Sequence, residues 1–178
     1  MHSKSAPLVT PDLVLGAVFL ILALVFPVLF HLAQLGSTFL PMFFPIALAG
    51  FLLQPTILAL LGISAPLISG ALTGMPPFYP PVAPQMAVEG LVLGVGIAVL
   101  HQRLKLGIYP SLVLGLLLQR IVLVLVVFVI APLFHLPPEI YSMAKLVSGI
   151  PGVLLQLILI PPLVVLIKPR ILKLKELS

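Results

Sequence analysis

The sequence predicts an all-α membrane protein of six transmembrane helices, with both termini in the cytoplasm. Composition is the first reason: 61% of the 178 residues are hydrophobic and only 7% are charged, against roughly a quarter charged in soluble domains. A water-soluble fold would expose far more apolar surface than monomers tolerate. The second reason is segmentation, because the apolar runs approach the ~20 residues that cross a bilayer and are separated by Pro, Gly and polar residues. The third is the placement of basic residues.

The first span is expected over Asp12–Leu32, started by Thr10, Pro11 and Asp12. Residues 34–41 read as a loop. A second, short span covers Phe39–Leu53 and stops at Gln54-Pro55; a third covers Thr56–Thr73. The five prolines of Gly74–Pro84 forbid a regular helix there and predict a structured loop buried against the bundle. The fourth span runs Pro84–Leu100, the fifth Ile108–Phe134 and the sixth Ile140–Ile167, broken or kinked by Pro151, Pro161 and Pro162. A cytoplasmic tail (1–11), the six-helix domain (12–168) and a basic cytoplasmic tail (169–178) complete the chain.

With the N-terminus inside, Lys4, Arg103, Lys105, Lys168, Arg170, Lys173 and Lys175 all fall on the cytoplasmic side, seven of nine basic residues. Only Lys145 falls outside, and Arg120 lies within a span. This is the positive-inside pattern, and it accounts for the net charge of +5 without nucleic acid. A multi-pass protein of a prokaryotic inner (plasma) membrane follows, with lipid as its surroundings.

Glu89 and Arg120 stand out, since a charge in hydrocarbon costs about 3 kcal/mol or more. Each lies about 12 residues from the cytoplasmic end of its span, roughly 18 Å at helical rise. They therefore share a depth in the outer half, either as a structural ion pair or as part of a solute pocket. A buried pair is rarely better for stability than apolar packing, which favours the pocket. Gln85 lies one turn outward of Glu89, and Gln119 adjoins Arg120. Lys145, His31, Tyr141, Phe78 and Tyr79 gather toward the same side, although snorkelling and interface anchoring explain several of them equally well. Gly90, Gly94 and Ala98 form a small-residue stripe suited to close helix contact, and Pro66, Ser69 and Thr73 share a face.

Catalytic signatures are absent: there is no P-loop, no H-E-x-x-H and no G-x-S-x-G. Without cysteine, thiolate chemistry is excluded. The expectation is a non-enzyme with no cofactor and no metal.

Three stretches, LGSTFLPMFFPIALAGFLLQP (35–55), SAPLISGALTGMPPFYPPVAPQMAVEGLVLGV (64–95) and SGIPGVLLQLILIPPLV (148–164), resemble in order and spacing the substrate-binding S-components of energy-coupling factor (ECF) vitamin transporters. The resemblance extends over roughly residues 12–168. It implies a pocket near the outer face, capture of a small water-soluble vitamin or precursor, and partnership with one transmembrane coupling protein and two ATPases. It further implies that Glu89, Arg120 and the 148–156 stretch with Gln156 line or support the pocket. The Ala-x-x-x-Ala docking face that such proteins often carry in the first helix is degenerate here: Gly16 pairs with Leu20, Ala17 with Ile21, and Phe19 with Ala23. Two other readings stay open at this level, an autonomous secondary transporter or channel and a membrane assembly subunit that binds no solute.

Overall fold

The computed structural model describes residues 11–32, 36–136 and 147–176, all of it helices and short connections without strands. Helix α1 covers Pro11–Leu32, α2 is the single turn Gly36–Phe39, α3 covers Phe43–Gly50 and α4 Pro55–Thr73. Helix α5 covers Val82–Ala98 and ends in a π-helical turn, Val99–Arg103. Helix α6 spans Ile108–Leu125 and is extended by the π turn Val126–Ile130 and by α7, Ala131–Leu133. Helix α8 covers Ile150–Glu176. Five of these segments, beginning at Pro11, Pro55, Val82, Ile108 and Ile150, are long and apolar enough to cross a membrane.

The second predicted span is much shorter than expected. Eight residues of helix, Phe43–Gly50, rise only about 12 Å. Leu40 has φ 50°, a left-handed conformation that does not continue a helix, and it delays the start to Phe43. At the far end Gln54 is extended (φ −69°, ψ 150°) ahead of Pro55, as the residue before proline tends to be. All but Phe44 of α3 is buried, so neighbouring helices enclose it.

Contacts give each segment a direction. In α1, Gly16 meets Ile57 near the start of α4, so α1 and α4 run parallel. The return between them is made by the α2–α3 segment: Leu40–Phe43 share a cavity with Pro27, whereas Gly50 and Leu53 receive hydrogen bonds from Gln102 after α5. Helices α4 and α5 are antiparallel and touch backbone to backbone; a Cβ built on Gly62 would stand 2.5 Å from the Gly90 carbonyl carbon. Gly94 lies against Ile46 and Leu58, and Ala98 is fully buried, so the small-residue stripe is the seam on which α3, α4 and α5 close.

Helix α8 leads away from Gly149, which lies under Arg120, and carries Lys168, which meets His101. It remains one helix through Pro161, Pro162 and Pro169 instead of breaking. Proline already holds a helical φ, and in a bundle the freed carbonyls find other partners. The helix also continues to Glu176, through most of the segment read as a basic tail. Six segments thus alternate between two ends of the bundle, and α1 begins at the end where α8 finishes.

The Gly74–Pro84 loop is structured but mostly exposed, not buried. Gly74 closes α4 with φ 74°, the left-handed cap that glycine adopts without penalty. The Ser69 and Thr73 hydroxyls then donate to the Met75 carbonyl at 2.7 and 3.1 Å. These local bonds fix the turn without burial, and the loop ends two residues earlier than expected, at Val82.

Candidate functional site

A cavity of about 270 Å³ opens between the ends of α1, α3, α5, α6 and α8. Its walls are largely apolar: Pro27, Leu40, Pro41, Met42 and Phe43 on one side, Met75, Pro76, Pro77, Met86 and Leu123 on the other. Four polar residues complete the lining, Gln85, Glu89, Arg120 and Ser148. An apolar chamber with a few fixed polar groups is the usual form of a small-molecule site.

The polar groups are held by one another. Gln85 and Glu89 stand one turn apart on α5, and the Gln85 Nε2 donates to Glu89 Oε1 at 2.6 Å. From α6, Gln119 Nε2 donates to Glu89 Oε2 at 3.2 Å. Glu89 is 4% exposed and Gln119 fully buried, so the carboxylate sits in a low-dielectric setting with both oxygens engaged. Arg120 lines the same cavity as Glu89, and its Nη2 donates to the Gly149 carbonyl at 3.0 Å. Glycine at 149 leaves room for that approach: a Cβ there would lie 2.5 Å from Arg120 Nη2, and the guanidinium would have to move. Gly152 does the same for the next turn, admitting the Phe39 backbone.

Several buried polar atoms have no hydrogen-bond partner in the described structure: Gln85 Oε1, Gln119 Oε1, and both amide atoms of Gln156. An unpaired buried polar group costs on the order of 1–3 kcal/mol. Groups of this kind are retained where water or a ligand meets them.

The residues expected to surround a site divide into four sets. Glu89, Arg120 and Gln85 line the cavity, and Gln119 stands behind Glu89 as its second donor. Gln156 is fully buried on α8 but does not line the cavity. Phe78 packs on Gly70 of α4 and is half-exposed, and Tyr79 is 83% exposed; neither lines the cavity. Lys145 and Tyr141 lie outside the described residues, as does the side chain of His31.

Sequence reasoning missed most of the wall. Met42 and Phe43 come from the segment read as a plain span, and Met75 and Met86 flank the loop residues that drew attention instead. Ser148 and Gly149 belong to the SGIPG stretch, which only the family resemblance singled out. No group of three or more His, Cys, Asp or Glu capable of holding a metal occurs among the described residues. No protein-family model, no curated protein and no solved structure matches this chain.

Proposed function

We propose that the chain is the substrate-binding membrane subunit of an ECF-type importer, capturing a small water-soluble vitamin or precursor for uptake driven by partner ATPases. The observation that supports it is the cavity itself, in which an acid, a guanidinium and an unpartnered amide carbonyl meet between apolar walls. The α2–α3 segment makes a sixth crossing in this reading, enclosed by the five long helices. The cavity end faces outward. The opposite end, with Arg103, Lys105, Lys168, Arg170 and Lys173, faces the cytoplasm of a prokaryotic cell, where the coupling protein and two ATPases dock.

The ligand's carboxylate, phosphate or carbonyl oxygens pair with Arg120, and its donors reach the Gln85 carbonyl and Glu89. Calorimetry of the purified chain against a panel of water-soluble vitamins and their precursors tests the reading. At least one member is expected to bind more tightly than the micromolar range, and a panel without such a binder overturns it.

A further inference from the structure

The orientation of one side-chain amide carries information about the ligand. As a carboxylate, Glu89 only accepts hydrogen bonds, so the Gln85 atom facing it at 2.6 Å is the amide nitrogen. The Gln85 oxygen is thereby fixed as the remaining group. It is an acceptor in a residue only 6% exposed, it belongs to the cavity lining, and it has no partner. Whatever occupies the cavity must bring an N–H or O–H to that oxygen.

The charged groups give a second constraint. Glu89 and Arg120 are the charged residues lining the cavity among those described, and their formal charges cancel. An anion bound to Arg120 leaves the Glu89 charge uncompensated in a low-dielectric interior, and a cation bound to Glu89 does the same to Arg120. Glu89 is buried and Arg120 half-buried, so leaving either charge without its counterpart is costly. A ligand without net charge avoids both costs. Arg120 commits Nη2 to Gly149, and its other N–H groups suit a ligand carbonyl.

We infer that this site selects a solute of zero net charge with an amide-type edge, its N–H donating to the Gln85 oxygen and its carbonyl accepting from Arg120, and that Glu89 sets this selectivity by cancelling the Arg120 charge. The inference rests on the reading of the cavity as a solute site, and it adds a charge rule to it.

Benzamide, benzoate and benzamidinium have one shape and carry charges of zero, minus one and plus one, so they isolate the rule. In calorimetry of the full chain in detergent, blanked against empty micelles, benzamide is expected to bind at least about tenfold more tightly than either ion. Glu89→Gln is expected to shift the preference toward benzoate by about tenfold, and Arg120→Gln toward benzamidinium by a similar factor. If either variant folds poorly, the ranking by the unaltered chain still decides.

Equal or tighter binding of an ion by the unaltered chain overturns the inference, as does an unchanged ranking in the folded variants or no binding of any of the three. A tightly bound vitamin of net charge overturns this charge rule and leaves the capture reading intact. Failure of the whole vitamin panel removes the capture reading itself.

Discussion

The two ends of the bundle treat polar groups in opposite ways. At the cavity end, Gln85 and Gln119 hold Glu89 in place and Arg120 is held by Gly149, yet the Gln85 carbonyl oxygen is left without a partner beside an open volume. At the other end the polar groups close on the chain. Gln102, carried on the π-helical turn, donates to the Gly50 and Leu53 carbonyls at 3.2 and 2.8 Å. His101 packs its ring edge-on against Phe51 at 5.1 Å, with Nδ1 2.8 Å from the Leu106 carbonyl and Nε2 2.7 Å from Lys168 Nζ. Since the ammonium only donates, Nε2 accepts and Nδ1 carries the proton. One end thus spends its donors and acceptors internally, and the other holds some in reserve. That difference separates groups that complete a fold from groups that, on the proposed reading, await a ligand.

The comparison is tested most severely at the seam both ends share. Gly62→Leu forces a side chain into the Gly90 backbone and is expected to cost about 3 kcal/mol or more. In detergent unfolding followed by circular dichroism, both ends should fail together; loss of ligand binding alone would show that they are separable. Next in size is Arg120→Met, expected to cost about 3 kcal/mol by leaving Glu89 uncompensated. Adding Glu89→Gln should restore most of that stability without restoring ligand binding. A double variant that binds as the unaltered chain does would assign the pair to structure alone.

Gln102→Met removes two bonds at the closed end and is expected to cost about 1 kcal/mol, with affinity at the cavity unchanged. An affinity loss there would mean that the two ends communicate. The smallest effect is expected for His101→Phe, which keeps the ring contact with Phe51 and loses the polar ones, at under about 1 kcal/mol in the same unfolding measurement.

The sequence made some of this legible for simple reasons. A charge inside an apolar run is conspicuous, and helical rise turns residue counts into depth, so the sequence places Glu89 and Arg120 at one level, and both line the same cavity. Gln85 followed from the i, i+4 spacing, and the glycine stripe from its own. Three features were hidden. Hydropathy cannot distinguish a full span from an eight-residue helix embedded in protein, so Met42 and Phe43 were not recognised as wall. Aromatic residues of the proline-rich loop gather toward the site in sequence, whereas Tyr79 is largely exposed and neither it nor Phe78 lines the cavity. Gln102 sits in a basic link, HQRLK, whose charges drew attention to orientation and away from the amide that caps α3.

The brevity of α3 has a consequence for how the protein is made. Non-helical backbone flanks it on both sides, Leu40–Met42 and Phe51–Gln54, and such backbone is not tolerated in contact with lipid. On its own the segment is too short to be released sideways into a bilayer as a stable span. Its carbonyls at Gly50 and Leu53 are satisfied by a residue some fifty positions downstream, which has not yet been synthesised when α3 emerges from the ribosome. On this argument residues 40–54 wait at the insertion machinery, or in water, until α5 arrives, and this segment settles only after α5.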